Sequence, residues 1–169
     1  MIDPKLDLLC NENREEFFAL VSEYLPGSSR ERAERYSQIF PKAFIVMTLG
    51  GEMIGAAFGW HRKLEFPDDD SFVLNGIAVK NGFRRKGYGK MLLEAFERAA
   101  AEYGVHEITL GSAPGNAEKF YLACGYFPRE YKVWENNAPL ILHSFESMDD
   151  YYSYKRTGDG FVVMCKYTA

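Results

Sequence analysis

One connection constrains this chain more than any other. The apolar run Phe72–Val79 leads into the basic turn Arg84-Arg85-Lys86-Gly87-Tyr88-Gly89, and a helically periodic stretch, Lys90 to Tyr103, follows at once. A strand that passes through a short glycine-containing turn into a helix aims backbone N–H groups and the positive end of the helix dipole at one spot. The ligand that fits such a spot is a phosphate or pyrophosphate. Lys80, Arg84, Arg85, Lys86 and Lys90 crowd the connection with no acid among them, although the whole chain carries a net charge of −4. Concentrating cations there is repulsive unless an anion visits. The plain alternative is a solvated turn between a strand and a helix.

Two common phosphate motifs fail against these residues. A P-loop counted from Gly82 reaches its second glycine at Gly87, but Tyr88 and Gly89 stand where Lys and Ser or Thr are needed. A dinucleotide fingerprint opens with Gly87-Tyr88-Gly89, but Leu92 occupies the third glycine position. What remains is Arg84-x-x-Gly87-x-Gly89, behind a strand that ends in Ile77-Ala78-Val79. This segment resembles the acyl-CoA pyrophosphate loop of the GNAT superfamily of N-acyltransferases, Arg/Gln-x-x-Gly-x-Gly/Ala. Further on, Ala117-Glu118-Lys119-Phe120-Tyr121-Leu122-Ala123-Cys124-Gly125-Tyr126-Phe127 is similar to the family's second motif, a helix bearing Ala-x-x-Leu/Phe-Tyr-x-x-x-Gly-Phe/Tyr. Two motifs in family order are far more specific than either alone, and they cover the middle third of the chain.

The resemblance implies a set of site residues. Ile77, Ala78 and Val79 would offer strand backbone to the pantetheine arm of acetyl-CoA. Arg84, Arg85, Lys86, Gly87, Tyr88, Gly89 and Lys90 would hold its pyrophosphate. Tyr121 would contact the cofactor and act as general acid toward the leaving CoA thiolate; the alternative is a tyrosine packing its helix on the sheet. The family often has Asn seven residues before this tyrosine, where this chain has Pro114. Asn116 is expected either to cap the helix or to reach CoA from a shifted loop. The general base is not fixed by the resemblance: any of His61, Glu65, Asp68, Asp69 and Asp70 could deprotonate the amine through water. His61 is the candidate taken as catalytic, with a surface histidine after a hairpin strand as its ordinary reading. A solvated turn is the ordinary reading of the aspartates.

Periodicity supplies the rest of the frame. Leu6–Cys10 reads as a short strand, Glu12–Tyr24 as a helix with Phe17, Leu20, Val21 and Tyr24 on one side, and Arg30–Phe40 as a second helix capped by Ser29. Strands at Ala43–Leu49 and Met53–Trp60 flank a Gly50-Gly51 hairpin turn. Asn75-Gly76 falls inside the continuous strand Phe72–Val79, so a bulge is preferred to a hairpin; a bulge N–H could polarise a thioester carbonyl. After the helix Gly89–Tyr103 come a strand Glu107–Gly111 and a helix Ala117–Cys124. Strands at Tyr126–Trp134, Leu140–Phe145 and Phe161–Lys166 follow, with Met148–Lys155 ambiguous. This order fits an α/β fold with antiparallel hairpins around a central parallel pair. With the resemblance it becomes a single GNAT-like acyltransferase domain over residues 1–169, with core motifs at 72–129 and C-terminal strands at 130–169. Its mixed sheet would carry helices on both faces and central strands splayed at the bulge.

At 169 residues and 47% hydrophobic, one domain with a real core is expected. The acidic balance argues against a nucleic-acid partner. No run approaches the length of a membrane span, and Met1–Cys10 lacks the features of a signal peptide. Cys10, Cys124 and Cys165 have no metal-ligand spacing and read as thiols of a reducing cytoplasm. No metal is expected. The resemblance therefore implies a cytoplasmic N-acetyltransferase that moves the acetyl group of acetyl-CoA to a primary amine of a small molecule or peptide, by direct attack in a ternary complex. A homodimer is open. The competing classes are a CoA-binding sensor or interaction module without turnover, and transfer of a longer acyl group.

Overall fold

The computed structural model describes residues 2–113 and 115–168. Pro114, the departure from the family's motif, lies outside them. The chain forms two compact units, residues 2–106 with Thr168, and residues 107–167.

The first unit holds β1 (Lys5–Leu8), α1 (Arg14–Tyr24), α2 (Arg30–Ile39), β2 (Phe44–Leu49), β3 (Glu52–His61), β4 (Phe72–Val79) and α3 (Tyr88–Glu102). Its strands pair antiparallel in the order β1-β2-β3-β4. As anticipated, Ser29 caps α2 by accepting a hydrogen bond from the Arg32 N–H at 3.2 Å. Helices cover both faces of this sheet. On one face Phe17 of α1 meets Phe58 edge-on at 5.5 Å, and Phe58 stacks on Phe44. On the other face Leu92, Phe96 and Ala99 of α3 are buried, and α3 lies so close to β3 that a Cβ on Gly59 would stand 2.8 Å from the Phe96 ring. Three short 3₁₀ turns, Pro41–Ala43, Arg62–Leu64 and Asn81–Phe83, carry no periodicity that the sequence could reveal.

The expected bulge is present. Phe58 pairs with Gly76 and Gly59 with Leu74, so Asn75 is an extra residue on β4. It switches the faces of the strand. Phe72, before the bulge, packs against Phe96 of α3, whereas a Cβ on Gly76, after it, would point at Phe58 and at Leu25. Gly59 sits at the pinch: a Cβ there would lie 1.8 Å from the Val73 carbonyl oxygen.

The second unit holds β5 (Glu107–Ser112), α4 (Asn116–Ala123), β6 (Phe127–Glu135), β7 (Ala138–Ser144), α5 (Met148–Ser153) and β8 (Gly160–Tyr167). Its strands run antiparallel in the order β5-β8-β6-β7. The ambiguous stretch is a helix, α5, capped by the Ser147 hydroxyl, which accepts from the Asp150 N–H at 3.1 Å. One expectation needs correction. Gly115, not Asn116, is the N-cap of α4, and no side chain caps that helix. Asn116 is the first helical residue, one position past the place from which a side chain can reach the free N–H groups. Glu118 of α4 is almost wholly buried. Arg156 satisfies it through both terminal nitrogens at 2.7 and 2.6 Å, and the Tyr151 hydroxyl donates to it at 2.5 Å. Burial first, and then that hydrogen bond, push the Tyr151 phenol up to about 12.

Two consequences are measurable. Gly59→Ala forces the added methyl into the Val73 carbonyl and Phe96, so it should cost about 1–3 kcal/mol, the usual range for overpacking, and lower the melting temperature by several degrees. Tyr151 bears on alkaline stability. Below pH 10 its phenol is protonated in both folded and unfolded chains. Between pH 10 and about 12 the unfolded chain releases the proton and the folded one holds it, so stability falls across that window. Urea midpoints measured against pH should fall less steeply there in Tyr151→Phe.

Candidate functional site

The turn between β4 and α3 leaves a helix N-terminus open. Gly87 is the N-cap of α3 with φ 83°, in the left-handed region that glycine adopts without strain. Having no side chain, it caps nothing, and the N–H groups of the first turn of this fifteen-residue helix stay available to a ligand. Nothing lies within 4 Å of where a Cβ on Gly87 would stand. Arg85 is also held at positive φ, 62°, in the same turn. From Arg84 to Gly87 the loop is exposed, and Tyr88 and Gly89 are half-buried.

Not every cation of the cluster is free. Lys80 pairs with Glu52 at 3.4 Å and Lys90 with Glu94 at 3.9 Å, partners that come from outside the connection. Arg84, Arg85 and Lys86 have no carboxylate partner among the described residues. Arg84 Nε instead donates to the Val79 carbonyl at 2.9 Å, which ties the loop to the end of β4. Its guanidinium lies 5.8 Å from the Tyr24 ring centre. Ile77, Ala78 and Val79 end β4, paired with Ala57, Ala56 and Gly55.

Tyr24 links this loop to a cavity that the sequence did not announce. Its hydroxyl accepts from the Asn81 N–H at 3.4 Å, and its side chain also lines a pocket of about 400 Å³. Residues 25–29 of the α1–α2 connection, Arg32 of α2 and the bulge residue Asn75 line the rest of it. The turn at residues 26–29 and the bulge were both legible, but their meeting was not. An open basic turn and a small polar pocket thus adjoin within one unit, with Tyr24 shared between them.

The candidate bases are placed unevenly. His61 closes β3 and stacks on Phe72. Its Nε2 is buried without a hydrogen-bond partner among the described residues, 3.8 Å from Asp70 Oδ1. It does not line the Tyr24 pocket. Glu65 is committed: Arg32 donates to both its oxygens at 2.7 and 2.9 Å, and the Trp60 indole donates at 3.2 Å. Asp69 is held below the ordinary carboxylate range. Burial pushes it up, but hydrogen bonds from Ser71 and Arg62 outweigh that. Asp70 lies 3.3 Å from Lys63.

In the second unit, Asn116 and Tyr121 both belong to α4. Tyr121 is buried, edge-on to Phe120 and Tyr126. Burial, with Cys124 as a lesser cause, raises its phenol well above the ordinary range. Its hydroxyl makes no hydrogen bond to the described residues. None of the three cysteines forms a disulfide. Among the described residues no group of His, Cys, Asp and Glu is arranged to hold a metal ion, and no helix is long and apolar enough to cross a membrane.

Comparison with known proteins places this geometry. The chain matches the model of the acetyltransferase (GNAT) family over residues 6–126. No curated protein matches it in sequence. Several solved structures share its fold at low identity. Ard1 from Thermoplasma volcanium is 16% identical, with 98% of each chain covered and a TM-score of 0.71. Arabidopsis thaliana Naa50, solved with the bisubstrate analogue CoA-Ac-MVNAL, is also 16% identical, covering 98% of this chain and 99% of its own at a TM-score of 0.71. A GNAT family acetyltransferase from Elizabethkingia anophelis, solved with acetyl-CoA bound, is 14% identical, with 98% of both chains covered and a TM-score of 0.61. With the family model spanning most of its length, including the open turn at Gly87 and the helix of Tyr121, the chain belongs to the GNAT family of acetyltransferases.

Proposed function

We propose that residues 1–169 act as one N-acetyltransferase domain that moves the acetyl group of acetyl-CoA to a primary amine by direct attack in a ternary complex. The observation that carries this reading is the uncapped N-terminus of α3 at Gly87, ringed by Arg84, Arg85 and Lys86 and joined through Tyr24 to a pocket sized for a small acceptor. Family membership and similar structures that hold acetyl-CoA or a CoA-linked peptide support the co-substrate. The acceptor is a small molecule or a peptide N-terminus.

The chemistry assigns roles. The free N–H groups of Tyr88, Gly89 and Lys90, with the cations of the loop, hold the pyrophosphate. The backbone of Ile77, Ala78 and Val79 pairs with the pantetheine arm. The amine nitrogen attacks the thioester carbonyl, the carbon–sulfur bond breaks, and the acetyl group leaves as an amide. His61, working through water, takes the proton that the acceptor ammonium must lose before attack. The Tyr121 hydroxyl donates to the departing sulfur, and Asn116 contributes to the CoA site from the same helix.

Gly87→Ala and a salt series test the loop. A Cβ at Gly87 meets nothing in the protein, so the backbone conformation alone should cost about 1–2 kcal/mol of stability, while acetyl-CoA affinity falls at least tenfold because the ligand must approach there. Wild-type affinity should itself weaken with ionic strength as exposed charges are screened. Calorimetry reads both, and near-native affinity in Gly87→Ala counts against the assignment.

Tyr121→Phe tests transfer. It removes a hydroxyl and almost no volume, so the fold and acetyl-CoA binding should persist. With the donor to the leaving thiolate gone, kcat should drop at least tenfold, as expected when one hydrogen-bond donor to a developing charge is removed. Thiol release followed with an amine panel decides. Binding of acetyl-CoA with no turnover in the wild type would instead favour a CoA sensor.

A further inference from the structure

The pocket beside the loop is unusual in what it lacks. Among the described residues Arg32 is the only charged one in its wall, and no carboxylate lines it. Its other polar groups, the hydroxyls of Tyr24, Ser28 and Ser29 and the Asn75 amide, can all donate hydrogen bonds. Tyr24 accepts from the Asn81 N–H, which leaves its own hydrogen free. Arg32 is fixed in place. One terminal nitrogen, Nη2, donates to both oxygens of Glu65, and the guanidinium lies over the Trp60 ring with its centre 5.1 Å away. Nε and Nη1 make no hydrogen bond to the described residues, and the side chain is 44% exposed. An oriented guanidinium with donors to spare, at a cavity whose wall carries further donors, is matched by a carboxylate, which accepts a charge-assisted hydrogen bond from Nε or Nη1. A second cationic group would find no carboxylate among the residues lining the pocket to pair with.

We propose that this pocket selects amines that carry a carboxylate a few bonds from the reacting nitrogen, and that Arg32 binds that carboxylate. The assignment rests on the acetyltransferase reading above, and it excludes polyamines as preferred acceptors. Glu65 acts as a tuning group, since it holds Arg32 in position while drawing off part of its charge.

The test uses matched acceptors in the full-length protein: free amino acids and β-alanine, their carboxamides, and spermidine, with thiol release giving kcat/KM for each. The wild type should prefer each acid to its amide by about tenfold or more, the size of one charge-assisted contact. Arg32→Met strands Glu65 without its partner, so the Arg32→Met/Glu65→Gln double variant removes both charges together. In it the acid-to-amide ratio should fall to near unity through KM of the acids. Glu65→Gln alone leaves Arg32 its full charge and should raise the ratio. Equal use of acid and amide by the wild type, a preference for spermidine, or a preference that survives the double variant overturns the proposal and leaves acetyl transfer standing. Acetyl-CoA binding with no acceptor turned over overturns the transfer reading, and this one with it.

Discussion

Between Leu74 and Gly76 the strand β4 advances two residues while β3 advances one, and most of what is specific to the first unit follows from that mismatch. A strand presents alternate residues to opposite faces, so one extra residue exchanges the faces of everything beyond it. Phe72 therefore belongs to the α3 side and Gly76 to the α1 side, although they are an even number of residues apart. The exchange needs room. Gly59 supplies it on β3, where any side chain would collide with the Val73 carbonyl, and Gly76 supplies it against Phe58. The extra residue, Asn75, is left to line a pocket rather than to pair in the sheet.

The same economy governs charge. Cations of the first unit whose role is to hold the fold are matched by carboxylates: Lys80 by Glu52, Lys42 by Glu102, Arg62 by Asp69. The exposed pairs among them contribute little energy individually, but they cancel charge, and the chain as a whole is acidic. Arg84, Arg85 and Lys86, like Arg35 and Arg98, have no carboxylate partner among the described residues, but only these three stand side by side in one turn. Exposed and adjacent in sequence, they repel one another in the absence of an anion. The helix end they surround carries no side-chain cap; a Ser or Asp at Gly87 would occupy its N–H groups and, in the proposed reading, compete with a phosphate.

Much of this was legible because it is local. The strand Phe72–Val79, the turn, the periodic helix and the Ser29 cap each depend on neighbours within a few residues, and each is where the sequence put it. The bulge was legible because Asn75-Gly76 breaks an otherwise continuous strand. Its face switch was not, since the burial of Phe72, Leu74, Gly76 and Ala78 keeps the plain alternation of an undisturbed strand. The cap at Gly115 instead of Asn116 was missed by one residue, because a residue type that caps well stood next to the residue that turns the chain. Tyr24 and Arg32 were missed as site residues altogether. Each sits at helical spacing and reads as a packing or surface side chain; only the return of β4 against the α1–α2 connection gives them a cavity to line.

Burial of Tyr121 bears on how the proposed reaction ends. A phenol pushed above its ordinary range is a weaker acid than a CoA thiol, whose ordinary value is near 8.5 as for other thiols. It cannot hand over its proton outright at equilibrium. What it offers is a neutral O–H that stays protonated at every physiological pH, ready to hydrogen-bond the sulfur as negative charge develops. The proton that finally neutralises the thiolate then comes from the acceptor nitrogen or from solvent. In that arrangement the pH dependence of turnover belongs to the acceptor amine and its base, and the phenol contributes a rate without contributing a titration.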